Sequence, residues 1–219
     1  YMSRLIFYFF VLIGLGFILF QLFQFTVMIS NPMSRMKRDL VSLKSRLETW
    51  RKSLIKFDMK DLGNLSAKFD SQKGVLGMNV LKQGTLNSVF YENYFAYAMM
   101  YYRGINRRLL LIQSSNLDFV YSIESKFTEV SIDGEKIGYI NDTFQLLDEN
   151  EQLLAEIKLD NVLEYNNIYL HDEVKGEVIN IEKSITESTR AFNYLKPMSE
   201  EEWKNLTALS LFYLVNQRL

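Results

Sequence analysis

The sequence predicts a mainly β protein with helices: an N-terminal transmembrane helix, an amphipathic stalk helix, then an antiparallel β-barrel or meander packed on an apolar C-terminal helix. An uncharged apolar run opens the chain, and a heptad pattern follows it. From about Phe69 onward, apolar residues recur with the period of two that is typical of strands. The expected domains are 1–34, 35–62 and 63–219, with the last helix at 199–218.

The predicted membrane span runs from Leu5 to Ile29, twenty-five residues without a charged side chain. At 1.5 Å per residue such a helix is roughly 37 Å long, which exceeds the ~30 Å hydrocarbon core of a bilayer. Gln21 and Gln24 share one face of this helix. Because amide side chains in hydrocarbon prefer a polar partner, the sequence predicts a single-pass protein whose span contacts other membrane helices.

The stalk helix is predicted from seven apolar residues in alternating spacings of four and three. They are Met36, Leu40, Leu43, Leu47, Trp50, Leu54 and Phe57. This spacing is typical of a coiled-coil seam, and Pro32 and Ser34 are suitable start signals. A helix this short needs a surface to cover. We interpret the seam as a contact with a partner helix; packing on the chain's own β domain is the alternative.

Charge is distributed unevenly along the chain. Residues 35–56 contain eight basic and two acidic side chains, whereas residues 57–219 contain 16 basic and 24 acidic ones. Five basic residues near the span are candidate contacts for lipid headgroups: Arg35, Lys37, Arg38, Lys44 and Arg46. The positive-inside rule then predicts the large domain on the cytoplasmic or matrix side. The acidic domain disfavours a nucleic-acid partner.

The compartment is predicted from the first residue. Tyr1 is not a methionine, which slightly favours an imported protein of the mitochondrial inner membrane over one of a bacterial plasma membrane.

The β region is predicted from short runs rich in β-forming residues. These runs are 74–80, 108–113, 118–123, 127–132, 136–140, 144–147, 153–159, 168–171 and 177–181. Asp133-Gly134 is the strongest hairpin signal, while residues 86–102 fit either a buried helix or a strand pair. Residues 199–202 resemble a capping box, and residues 206–215 are apolar around nearly the whole helix. A sheet wrapped around this helix explains both patterns.

No residue pattern indicates a catalytic, cofactor or metal site. The chain has no cysteine, and its single histidine, His171, is expected in a solvated loop. Residues 148–151 are interpreted as a charged hairpin tip rather than a calcium site. The small basic cluster of Arg103, Arg107 and Arg108 is expected in a solvated loop as well. The sequence therefore predicts a protein that is not an enzyme and has no cofactor.

Residues 127–159, FTEVSIDGEKIGYINDTFQLLDENEQLLAEIKL, combine a strand, an Asp-Gly turn, the strand Ile137–Ile140 and the run Phe144–Ile157. Together with the helix at 201–219, this arrangement resembles the tubby C-terminal superfamily, which includes the LURP-one-related proteins and the phospholipid scramblases. The resemblance covers about residues 127–219. It implies a barrel closed around the final helix, and a module that binds or translocates lipid.

The function that we expect is that of a single-pass, non-catalytic accessory or structural subunit of a larger membrane protein assembly. The span and the heptad helix would dock on membrane lipids and other subunits. The alternatives are the lipid-binding or lipid-translocating module implied by the resemblance, and an inner-membrane assembly factor with one span before its folded domain.

Overall fold

The computed structural model describes residues 13–22, 32–76, 79–102, 106–160, 162–181, 183 and 190–218. The chain separates into two compact units that divide between Ser42 and Leu43. The helices are α1 (Pro32–Arg51), the 3₁₀ helix η1 (Met59–Asn64) and α2 (Glu200–Arg218). The strands are β1 (Leu65–Phe69), β2 (Gln72–Leu76), β3 (Asn79–Ser88), β4 (Asn93–Tyr101), β5 (Arg108–Gln113), β6 (Asp118–Ile123), β7 (Phe127–Ile132), β8 (Glu135–Asn141), β9 (Gln145–Leu147), β10 (Leu153–Lys158), β11 (Tyr165–Leu170), β12 (Glu173–Ile179) and β13 (Phe192–Leu195).

In the N-terminal unit, residues 13–22 are helical and all of their side chains are exposed. Seven large apolar side chains in this segment are 52–64% exposed: Ile13, Leu15, Phe17, Ile18, Leu19, Phe20 and Leu22. Within the described part of the chain, no helix is both long and apolar enough to cross a membrane. Leu5, Gln24 and Ile29 lie outside the described residues, so the membrane span stays a prediction.

The second unit is built on a single antiparallel sheet. From β3 to β13 each strand pairs with the next one along the chain, and β1 and β2 both pair with β3 on its other side. The sheet nearly closes where the Ala191 N–H donates to the Leu65 carbonyl at 2.8 Å, next to a bridge between Ser66 and Arg190. This arrangement confirms the predicted mainly β fold with an antiparallel barrel and a C-terminal helix.

In two hairpins, both turn residues adopt the left-handed backbone conformation with positive φ. Asp133 and Gly134 have φ of 52° and 87° and join β7 to β8, which confirms the predicted hairpin. His171 and Asp172 have φ of 47° and 64° and join β11 to β12 in the same way. Positive φ at both turn positions matches the right-handed twist of the flanking strands, so these tight turns fix the register of both hairpins.

The ambiguous residues 86–102 form the end of β3 and the whole of β4. Strand β4 is buried on both faces. Phe95, Tyr97 and Met99 belong to the barrel's interior cluster, whereas Ala96 and Ala98 are fully buried on the opposite face. A strand covered on both faces loses the apolar–polar alternation, which is why its pattern resembles a buried helix.

Helix α2 fills the barrel. Residues 205–215 are buried on every side of the helix. The Tyr121 hydroxyl on β6 donates to the Ala208 carbonyl at 2.8 Å, and the Asn166 amide on β11 donates to the Tyr213 hydroxyl at 2.7 Å. These two bonds satisfy polar groups that would be costly to bury alone.

The capping box that begins α2 is present as predicted. The Ser199 hydroxyl accepts the Glu202 N–H at 3.2 Å, and the Glu202 carboxylate accepts the Ser199 N–H at 2.8 Å. Each side chain therefore satisfies an N–H group that has no partner within the helix.

The sequence predicts the stalk helix at 35–62. Helix α1 instead ends at Arg51, so the expected C-terminal part of the stalk does not belong to this helix. Phe57 leaves the helical path and enters the barrel core, where its ring contacts Tyr94 and Phe95 at centroid distances of 5.6 and 4.6 Å. Burial of this aromatic ring favours the irregular chain at 54–58 over continuation of an exposed helix.

Candidate binding surfaces

The last turns of α1 are held on the barrel by a buried carboxylate. Asp118 begins β6, and its side chain is only 9% exposed. Its carboxylate binds the Lys44 ammonium at 2.7 Å and the Arg51 guanidinium at 3.2 Å, and it accepts the Gln113 amide at 2.9 Å. Every contact comes from a charged or amide donor, so Asp118 has the partners that a buried carboxylate requires.

The pKa of Asp118 reflects two opposing effects. Burial raises the pKa of this carboxyl group, but hydrogen bonds from Lys44 and Gln113 and the charges of Lys44 and Arg51 outweigh burial. The net result is a pKa below the ordinary value of an aspartate. The carboxylate is therefore ionised at neutral pH and holds the last turns of α1 through Lys44 and Arg51.

The predicted partner-contact seam divides between the two units. Leu43, Leu47, Leu54 and Phe57 are at most 9% exposed within the second unit, so they are not available to a partner chain. These four residues instead follow the alternative interpretation, in which the seam packs on the chain's own β domain. Met36, Leu40 and Trp50 are partly buried.

The predicted headgroup contacts and span residues occupy different environments. Lys37, Arg38 and Arg46 are exposed on α1, whereas Arg35 lies 3.8 Å from Asp39. Lys44 is bound to Asp118, so it is an internal ion-pair partner rather than a free headgroup contact. Gln21 is exposed in the helical segment 13–22.

A cleft lies between η1, β13 and the start of α2 in the second unit. Its volume is about 580 Å³, within the range of ligand-binding clefts. Its basic lining residues are Lys60, Arg190 and Lys196, and no carboxylate side chain lines it. Its walls also include Phe192, Leu195, Met198 and Trp203, together with Asn64, Asn193 and Tyr194.

The nearest acidic side chains of α2 are engaged elsewhere. Glu202 accepts the Ser199 N–H and lies 3.3 Å from the Lys175 ammonium. Glu200 pairs with Lys204 at 2.9 Å. The cleft lining itself has three basic and no acidic side chains, while Glu177 beside it accepts the Asn193 amide at 2.7 Å and Glu173 interacts with the charge of Lys196.

Sequence reasoning missed this cleft. Lys60 lies far along the chain from Arg190 and Lys196, so no local basic run marks the surface. The basic cluster that the sequence does show behaves differently, because Arg107 pairs with Glu124 at 2.9 Å and Arg108 donates to Asn216 at 3.4 Å. Arg103 lies outside the described residues.

The residues considered for metal or acid–base chemistry lie at hairpin tips. His171 is exposed in the β11–β12 turn. Asp148 accepts the N–H groups of Asn150 and Gln152, both at 2.8 Å, and so caps the β9–β10 turn. Among the residues that the structure describes, no group of three or more histidine or acidic side chains is arranged to hold a metal ion.

Comparison with known proteins gives no relative for this chain: no family model, no curated protein and no solved structure matches it.

Proposed function

We propose that this chain is a single-pass, non-catalytic accessory subunit of a larger membrane protein assembly. The observation that carries the proposal is the helical segment 13–22, which exposes seven large apolar side chains around its circumference. A helix without a polar face is unstable in water and is covered by lipid or protein. The uncharged sequence from Leu5 to Ile29 is long enough for a membrane span.

The folded domain supports a binding role. Its barrel packs around α2, whose residues 205–215 are buried, and the clefts that could bind a partner are formed by residues of the barrel and of the helix ends. Asp118 fixes the last turns of α1 on that barrel through Lys44 and Arg51. This charged contact lies within the second unit, to which all three residues belong.

The proposal is tested by mild extraction of the full chain followed by native mass spectrometry. We expect a stoichiometric complex with other membrane proteins. Gln21→Leu combined with Gln24→Leu should weaken that complex, because the two amides are expected to bond to neighbouring helices. Leu15→Ile combined with Leu19→Ile is the matched control and should retain it. A lone monomer in wild-type preparations would contradict the proposal.

A second candidate function is a lipid-binding module of the tubby or scramblase type. The specific observation in its favour is a sheet closed around an apolar C-terminal helix, the architecture that the family resemblance implies. Exposed Lys37, Arg38 and Arg46 on α1 could supply the contacts to anionic headgroups. This candidate predicts that residues 35–219 bind vesicles more tightly as their anionic lipid content rises; binding that ignores lipid charge would exclude it.

A further inference from the structure

We propose that the cleft between η1 and β13 binds an extended acidic peptide segment of a partner subunit. This inference rests on the proposed accessory function and names the chemistry of one partner contact. Its basis is a cleft with three basic residues and an apolar floor, on a domain whose net charge is negative.

The charge of the cleft lining favours an anionic occupant. Lys60, Arg190 and Lys196 form no ion pair within the described residues of the chain, although 24 acidic side chains lie between residues 57 and 219. The cleft lining has no carboxylate, so an anion bound there is attracted by the three cations without an opposing charge from the lining. All three side chains are exposed, so they are accessible to a ligand.

The spacing of the charges favours a peptide over a compact anion. Arg190 and Lys196 flank β13, and Lys60 lies on η1, so the three cations come from separate positions along the cleft lining. An extended segment that runs beside β13 can place a carboxylate near each of these cations, whereas a single phosphate group offers only one point of contact.

The walls of the cleft suit the apolar side chains of such a segment. Phe192 is buried at its base, and Leu195, Met198 and Trp203 line the space beside the cations. Tryptophan is among the residues that contribute most at protein interfaces, and a flexible methionine adapts to different side chains. Acidic residues that alternate with apolar ones therefore match the cleft, because alternate side chains of an extended peptide face opposite sides.

The experiment measures fluorescence anisotropy of a labelled ten-residue peptide in which Glu alternates with Val. The receptor is the full chain in nanodiscs of zwitterionic lipid, and the same peptide with Gln in place of Glu is the control ligand. We expect saturable binding of the Glu peptide that weakens as salt rises, because exposed charges are screened. Binding of the Gln peptide should be at least tenfold weaker.

Two charge-matched variants locate the site. Lys60→Glu, Arg190→Glu and Lys196→Glu together should weaken Glu-peptide binding at least tenfold. Lys68→Glu, Lys73→Glu and Lys126→Glu together alter exposed lysines outside the cleft by the same total charge and should leave binding unchanged. If the triple cleft variant does not fold, Lys196→Glu alone is compared with Lys73→Glu, with at least a threefold loss expected for the first.

The outcomes separate this inference from the proposed function. Equal binding by the two triple variants overturns the peptide site. Vesicles of anionic phospholipid that bind through the three cations, with no binding of the Glu peptide, overturn it as well and assign the cleft to headgroups. If wild-type protein is a lone monomer, the accessory function fails, yet the peptide titration still decides what the cleft binds.

Discussion

Asp118 shows how one side chain can decide where a helix lies. It belongs to β6, but two of its three side-chain partners belong to α1. Sequence reasoning assigned Lys44 to lipid headgroups, because the positive-inside rule counts charges near a span without regard to acidic residues far along the chain. Asp118 follows Lys44 by more than seventy positions, and only the folded sheet brings the two together.

Replacing Asp118 tests this contact directly. Asp118→Asn removes the charge that Lys44 and Arg51 share, and we expect the free energy of unfolding to fall by about 2 kcal/mol, the scale of hydrogen bonds to charged groups. Denaturant unfolding of the full chain in detergent provides the measurement. Asp142→Asn, an exposed turn residue, is the matched control and should change stability by less than about 0.5 kcal/mol. Equal effects from the two substitutions would show that the ion pairs contribute nothing.

The same carboxylate makes stability depend on pH. Its pKa is lower in the folded protein than the ordinary value of 3.8. The stabilisation is therefore fully present well above pH 3.8, and it is lost as the pH falls through that value toward the folded pKa. We expect the stability difference between wild type and Asp118→Asn to shrink over this acidic range. A difference that stays constant between pH 6 and pH 3 would contradict the assignment.

At the scale of elements, the sequence predicts several strands in the middle of the sheet with their observed bounds. The predicted runs 108–113, 118–123 and 127–132 coincide with β5, β6 and β7. The run 74–80 instead combines the end of β2 with the start of β3, which pair through Leu76 and Asn79. The short strands β1 and β13 were not predicted, because the four or five residues in each carry little periodic signal.

Two glycines on neighbouring strands provide a matched test of how β1, β2 and β3 meet. A Cβ on Gly84 would lie 1.8 Å from the Asp70 carbonyl oxygen, whereas a Cβ on Gly74 would meet only the Leu81 side chain at 4.0 Å. We therefore expect Gly84→Ala to lower the free energy of unfolding by about 2 kcal/mol or more, and Gly74→Ala to change it by less than about 0.5 kcal/mol. Chemical denaturation of both variants checks this expectation. If both variants have the stability of wild type, the expected clash between a Cβ at position 84 and the Asp70 carbonyl does not occur.

At the scale of the whole molecule, the barrel and its helix form one cooperative core. The interior cluster joins residues from η1, from twelve strands (all but β2) and from α2, so removal of any of these elements would expose apolar side chains of the others. The heptad and hairpin patterns are local, and the sequence shows them. The basic cleft depends on closure of the sheet beside Arg190, a contact between distant parts of the chain, and no local pattern predicts it.

Hydrogen exchange measures this cooperativity. The amides of residues 205–215 should exchange more slowly than those of β2 or β13, because water reaches α2 only when the barrel opens. Mass spectrometry of the exchanged full chain, with peptides from each element, gives the comparison. Faster exchange in α2 than in β13 would mean that the helix leaves the barrel without global unfolding.

The position of α2 after all thirteen described strands has a consequence for synthesis. The ribosome releases the complete sheet before it releases the helix that occupies the sheet's interior. Until then the rings of Tyr121 and Phe144, which contact Phe212 and Tyr213 of α2 in the folded protein, have no helix to cover them, and the nascent strands are exposed to pairing with other chains. During this interval the incomplete chain is prone to aggregate. A chaperone that holds the emerging strands apart until α2 arrives would raise the yield of folded protein.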